Sequence, residues 1–194
     1  MLVKNKEQFD VLLKEYPVHK LFSVDVLPYL ELHTYKKGEF ICREHEPLSR
    51  LYFLARGTVK IYVTLKNGKV NIMELISGRG IIGELEMLRS QNTTQAVQAM
   101  GEVTCFVLPL GQCGQLILED AHFLRELCKM LSDKIIKNRD IFTVNQSYPL
   151  ENRLAAYILL AGDNGVFDQR LTEVSEYIGT SYRHLLRTVA KLCE

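Results

Sequence analysis

The chain has 194 residues, 47% of them apolar, which is enough to bury a core in one or two domains and too many for a disordered chain. With 24 basic against 23 acidic residues the net charge is +1, so no global field draws the protein to nucleic acid, and any such contact must come from local basic clustering. No run of about 18 apolar residues is present to span a membrane, and residues 1–10 are charged with no signal-peptide core, so the expected location is the cytoplasm.

Residues 3–29 read as helical and irregular. From 32 to 108 the texture changes to short β runs with turn punctuation. Residues 32–35 precede the turn Lys36-Lys37-Gly38, and 39–42 follow as a strand. Residues 51–56 and 59–64 alternate around Gly57. Asn67-Gly68 is the strongest short hairpin signal, and 70–75 answers it. Gly78, Gly80 and Gly83 punctuate the next stretch, and 95–108 closes with a long β segment. Short strands at regular spacing indicate a barrel or sandwich.

After Pro109 the period becomes helical. Phe123, Leu124, Leu127, Leu131, Ile135, Asn138, Phe142 and Asn145 recur at steps of three and four. A helix over 121–146, at about 1.5 Å per residue, is roughly 38 Å long. Its narrow apolar stripe, flanked by Lys129, Lys134, Lys137 and Arg139, predicts a helical partner. The first turns are expected on the barrel and the rest on a second copy, which makes Leu124, Leu127, Leu131, Ile135, Asn138 and Phe142 the expected dimer face. Ser147-Tyr148-Pro149 interrupts the helix, because proline disfavours helix in the residue before it. The expected domains are therefore 1–120, the dimerisation helix 121–146, and 147–194. Leu150–Ala161 reads as a further amphipathic helix.

Residues 171–192 read as a helix-turn-helix. Val174, Ile178, Leu185, Leu186 and Val189 are spaced to build a small core, and Gly179 sits where a sharp turn calls for positive φ. Thr172 is placed to cap the first helix and Ser181 the second. Tyr182, Arg183 and Arg187 then face outward near the start of the second helix, the part that reaches a major groove. The same pattern also fits two short amphipathic helices with a solvated basic face.

Lys37-Gly38-Glu39, Tyr52-Phe53-Leu54 with Gly57 and Val59-Lys60, Gly83-Glu84-Leu85, and the run from Gly179 to Arg187 occur in the order β-roll, long helix, hinge, helix-turn-helix. In that order they resemble the Crp/Fnr family of bacterial transcription regulators. Residues 145–150, 152–156 and 181–186 are most similar to its YeiL-type branch. The resemblance covers nearly the whole chain. It implies an α+β architecture with an N-terminal cyclic-nucleotide-binding-like β-roll (jelly roll), a long dimerisation helix and a C-terminal winged helix-turn-helix. It also implies a homodimer on a palindromic operator, with RNA polymerase a further candidate partner. Family members continue past the recognition helix into a two-stranded wing, whereas this chain stops at Glu194, so a truncated DNA-binding domain is expected.

Cyclic-nucleotide-binding members of the family carry Gly-Glu-Leu, a short helix, then Arg-Ser or Arg-Thr. Here Gly83, Glu84 and Leu85 are present, but Thr93 and Thr94 stand where Arg-Ser belongs. A threonine can hydrogen-bond a phosphate but cannot neutralise it, and an unpaired buried charge costs several kcal/mol. Arg89 lies four residues too early and reads as solvated. These five residues remain the effector-pocket candidates, and the expectation is against cyclic AMP, a cyclic-AMP-responsive regulator being the alternative.

No cofactor is called for. The five cysteines, Cys42, Cys105, Cys113, Cys128 and Cys193, are odd in number and contain no CxxC, so a disulfide framework is not expected. No cysteine precedes Cys42, and an iron–sulfur cluster would require Cys42, Cys105, Cys113 and Cys128 to converge. His33 and His45 fall in no recognisable haem-ligand or metal context. Cys128 is the candidate redox thiol, with simple packing as its alternative.

In the family, the residue matching Arg187 donates to guanine O6 and N7. Arg183 stands where many members carry glutamate, so the half-site is expected to differ from the common one. Tyr182 is placed for a thymine methyl or a phosphate, Thr180 and Ser181 for a phosphate, and His184 for a phosphate or solvent. The leading expectation is a DNA-binding regulator under an unidentified effector or redox signal. A ligand-binding or interaction module that does not touch DNA is the alternative from another class. No P-loop, nucleophile elbow or HExxH is present, so an enzyme is not expected.

Overall fold

A computed structural model describes residues 2, 6–68, 70–162 and 165–193, with the side chains of 141, 142, 144–146, 160 and 161 outside that description. Two compact units are formed, Met1–Ile61 with Leu75–Ser132, and Tyr62–Glu74 with Asp133–Glu194. They are cut differently from the expected domains: the division falls inside the long helix, and the tip of a β-hairpin joins the second unit.

The first unit opens with helix α1 (Lys6–Glu15) and two short 3-10 turns, Val18–Leu21 and Leu27–Tyr29. Eight strands follow, interrupted by helix α2 (Glu84–Arg89): β1 (Glu31–Tyr35), β2 (Phe40–Cys42), β3 (Arg50–Arg56), β4 (Thr58–Thr64), β5 (Val70–Ser77), β6 (Gly80–Ile82), β7 (Ala96–Ala99) and β8 (Val103–Pro109). They form two four-stranded sheets, ordered β1-β8-β3-β6 and β2-β7-β4-β5. The β1–β8, β3–β8, β3–β6 and β2–β7 pairs are antiparallel. The hairpin expected at Asn67-Gly68 is present, with Gly68 N–H donating to Leu65 O at 2.8 Å.

Strands β3 and β8 are buried along almost their whole length because both faces of their sheet are covered. Tyr52, Leu54, Val103, Cys105 and Val107 enter the interior between the sheets, with Ile41, Val59 and Ile82. Leu51, Phe53, Phe106 and Leu108 turn outward into a second core with Leu12, Val18, Phe22, Ile117, Phe123 and Leu127. That outer core joins α1, helix α3 (Leu110–Leu118) and the first turns of helix α4 (Ala121–Ser147). Phe22 stacks on Phe123 with ring centroids 4.4 Å apart.

Leu127 is only 1% exposed and belongs to this core, which corrects its placement on the dimer face. Leu124 and Leu131 are half-buried against the same core. Ile135, 69% exposed, Ile136 and Asn138 are on the solvent-facing part of α4. The Phe142 side chain lies outside the described residues.

Asp120 sits between α3 and α4 and is 3% exposed. Its carboxylate accepts from Ser23 N at 2.7 Å, Ser23 Oγ at 2.7 Å and Val24 N at 3.2 Å. It also accepts from His122 N at 2.9 Å and Phe123 N at 3.2 Å, at the start of α4. One side chain thus caps the long helix and ties it to a segment 97 residues earlier. Burial raises the Asp120 pKa, but the hydrogen bonds from the Ser23 hydroxyl and from the Phe123, Ser23 and Val24 amides outweigh it and hold the carboxyl at about 2.

In the second unit, Lys134 on α4 pairs with the buried Glu74 of β5 at 3.1 Å. Helices α5 (Leu150–Ala161), α6 (Leu171–Ile178) and α7 (Tyr182–Leu192) follow. Their core holds Leu150, Leu154, Tyr157, Val174, Ile178 and Leu185, with the Tyr157 ring against Phe167 and Tyr177.

Because the Asp120 carboxyl titrates lower in the folded chain than its usual 3.8, the stabilisation it brings is complete above about pH 4 and is lost as the pH falls towards 2. Asp120→Asn is expected to lose about 2 kcal/mol at pH 7 and to show a correspondingly shallower loss of stability between pH 5 and 2, measured by urea unfolding.

Candidate nucleic-acid interface and effector pocket

Helix α6 ends at Gly179, whose φ of 70° puts it in the left-handed region that glycine adopts without strain. Thr180 N–H reaches back to Ser175 O at 3.0 Å, and Arg153 Nη1 of α5 donates to Ile178 O at 2.9 Å. The carbonyls at the helix end are thus satisfied and the turn is held in one geometry. Ser181 caps α7, its hydroxyl accepting from His184 N at 3.2 Å. Thr172 does not cap α6: that helix begins at Leu171, with Arg170 at the cap position and no side-chain cap bond. Lys191 pairs with Glu151 at 3.2 Å, tying α7 to α5.

This frame fixes which side of α7 faces out. Leu185 and Thr188 are buried, while Ser181, Tyr182, Arg183, His184 and Arg187 are exposed. Thr180 is half-buried, with its hydroxyl 3.4 Å from His184 Nδ1. Arg183 and Arg187 lie one turn apart on one face, and among the described residues neither guanidinium is paired with a carboxylate. Leu186, expected in the core, is 40% exposed and sits one turn after the exposed Tyr182. The threes-and-fours pattern counted it inward, but the burial of Thr188 shows that the inner face is rotated towards that residue.

In the β-roll, Gly83 precedes α2 in the left-handed region, and a Cβ there would lie 2.9 Å from Leu48 Cδ1 and 3.2 Å from Arg50 O. Glu84 is 2% exposed, Leu85 faces solvent, and Arg89 is exposed. The Thr93 hydroxyl donates to the carbonyls of Arg43 and Glu46. Thr94 donates through N–H and Oγ1 to the buried Glu86 carboxylate, at 3.1 and 2.8 Å. Burial, followed by the charges of Glu86, Glu84 and Glu46, pushes the Cys42 thiol up to about 12. The residues here do not fit a cyclic phosphate: both threonines are engaged by the protein, and neither brings a positive charge.

The five cysteines do not converge on one point, although Cys42 and Cys105 are close enough to act on each other. Cys42 and Cys105 are in the interior core, Cys113 is in the outer core donating to Pro109 O at 3.3 Å, and Cys128 and Cys193 are exposed. His33 is bonded to Glu31 at 2.7 Å and His45 is a loop residue with φ of 68°. Among the described residues no three His, Cys, Asp or Glu side chains are grouped to hold a metal, and no helix is long and apolar enough to cross a membrane.

A family model for the cyclic nucleotide-binding domain matches residues 32–120. The chain is 39% identical over 170 residues to the Regulatory protein YeiL of Escherichia coli O157:H7, covering 88% of this chain and 78% of that protein. The chain belongs to the Crp/Fnr family of transcription regulators. A more distant member, the Global nitrogen regulator of Synechococcus elongatus, is 22% identical over 177 residues, 85% of this chain and 80% of its own. Among solved structures, FixK2 from Bradyrhizobium japonicum superposes with a TM-score of 0.67 at 19% identity, covering 84% of each chain. A putative Crp/Fnr-family regulator from Eubacterium rectale superposes with a TM-score of 0.73 at 13% identity, covering 91% of this chain and 82% of that one. At those identities the structures establish the shared fold. As a Crp/Fnr member the protein is a sequence-specific DNA-binding regulator and not an enzyme, which decides against the interaction module without DNA.

Replacing Ser181 by alanine removes the cap of α7 and is expected to destabilise the helix-turn-helix by about 1 kcal/mol. Faster hydrogen exchange at the His184 amide, with the exchange of β3 and β8 unchanged, is the signature.

Proposed function

We propose that this Crp/Fnr regulator binds a palindromic operator as a homodimer, with α7 in the major groove and Arg183 and Arg187 reading base edges. The observation that carries the reading is the pair of exposed guanidinium groups on one face of a helix capped by Ser181 and fixed by the Gly179 turn. A guanidinium presents two parallel N–H donors that match guanine O6 and N7. Tyr182 and Leu186 add apolar surface suited to thymine methyl groups, and Ser181, Thr180 and His184 lie where a phosphate approaches the helix start. The second copy is assigned to the distal part of α4, where Ile135 and Ile136 expose apolar surface beyond the turns buried on the roll. Where the regulator activates transcription, RNA polymerase is its further partner.

The β-roll, in this reading, receives an effector other than a cyclic nucleotide, since Thr93 brings no cation to a phosphate and both Thr93 and Thr94 are already engaged by protein groups.

Arg187→Ala is expected to cost roughly 1–3 kcal/mol per half-site and to relax preference at one base, while leaving the neighbouring positions intact. Binding-site selection from random duplexes with both proteins checks this. An unchanged base preference would contradict the assignment of Arg187.

A further inference from the structure

We propose that Glu151 of α5 restrains the attraction of the helix-turn-helix to DNA phosphates by holding Lys191 of α7 and cancelling its charge. This rests on the reading that α7 enters the major groove. Arg183, Arg187 and Lys191 recur at every fourth position of α7, one turn apart. Among the described residues Arg183 and Arg187 pair with no carboxylate, whereas the Lys191 Nζ donates to Glu151 Oε1 at 3.2 Å.

The place of this pair gives it a consequence for DNA. His184 and Lys191 are seven positions, close to two turns, apart and so share one edge of α7. Glu151 meets that edge, bonding Lys191 and feeling the charge of His184. With Arg183 and Arg187 on base edges, the flanks of the helix fall to the phosphate walls of the groove. The Glu151–Lys191 pair is open to solvent on one such flank.

Glu151 carries its charge there at neutral pH, because its own backbone amide and the Lys191 ammonium hold the carboxyl below its usual range. An exposed ion pair is weak, so a phosphate can draw Lys191 away from it. The carboxylate stays on α5 beside that phosphate, and the two side chains together bring no net charge to it. The chain as a whole carries only +1, so no wider field replaces the cancelled cation. Neutralising a phosphate releases counterions, and that release sets the strength of sequence-independent binding and its salt dependence. Glu151 lowers both.

The intact protein, Glu151→Gln, Glu151→Gln/Lys191→Gln and Arg187→Ala are titrated against a fluorescein-labelled duplex of mixed sequence. Anisotropy is followed over a series of KCl concentrations, below each protein's unfolding midpoint so that lost folding is not read as lost binding. Glu151→Gln is expected to bind more tightly at low salt, and its log K to fall more steeply with log[KCl], by about one in slope for each protomer. In the double variant the slope is expected to return to the wild-type value. A Glu151→Gln slope equal to that of wild type would overturn the proposal, as would a gain that survives the loss of Lys191. A merely structural role for the pair would weaken binding in Glu151→Gln without steepening the slope, which also counts against it. If Glu151→Gln does not fold, Glu151→Ala removes the same charge and takes its place. Arg187→Ala separates the two readings. Weaker binding there with no change in Glu151→Gln defeats the role of Glu151 only, and no change in either defeats the placement of α7 as well.

Discussion

The structure depends on two central strands of one sheet, β8 and β3, being buried on both faces. A sheet covered on one side only would show alternating polar and apolar residues. Here β8 runs Val103, Thr104, Cys105, Phe106, Val107, Leu108 and buries all six. One set of side chains fills the roll and the other seats α1, α3 and the first turns of α4. The interior that would hold an effector and the helix that continues towards the DNA-binding segment are thus separated by a single layer of backbone. Phe53 and Tyr52, adjacent on β3, belong to opposite cores. A change in packing inside the roll is therefore felt by residues that touch Phe123 and Leu127, because close-packed interiors transmit strain.

The charges of the two candidate sites follow one logic, that a buried charge needs a partner and an exposed one is available for binding. Lys134 and Glu74 are paired, and Asp120 is surrounded by donors. Arg183 and Arg187 are exposed on one face of α7, and among the described residues neither is paired with a carboxylate. In the cassette, the family's glycine and glutamate persist while the cationic position has become threonine. Thr94 and Glu86 satisfy each other there.

Much of this was legible in the sequence where a feature is local. Asn67-Gly68 marked its hairpin, Leu150–Ala161 its helix, and Gly179 with Ser181 the turn before α7 and its cap. What was not legible depends on contacts distant along the chain. The start of α4 at 121 was legible, but the cap that Asp120 makes there while holding Ser23, 97 residues away, was not. The stripe along α4 announced a partner, but spacing alone does not say that Leu127 meets its own roll and Ile135 does not. Thr172 and Leu186 were misplaced for the same reason: a shift of two residues in helix start, or a modest rotation of a helix, moves a side chain between capping and helix interior, or between core and surface.

A Crp/Fnr protein whose cassette offers threonine in place of the cation is expected to read DNA without a cyclic nucleotide. The most direct test is capture of sheared genomic DNA by the full-length protein, with and without cyclic AMP, followed by sequencing of the retained fragments. The account predicts enrichment of one palindromic motif, its half-sites one helical turn apart, to the same extent in both samples. Enrichment that appears only with cyclic AMP, or retention with no sequence preference in either sample, would contradict it.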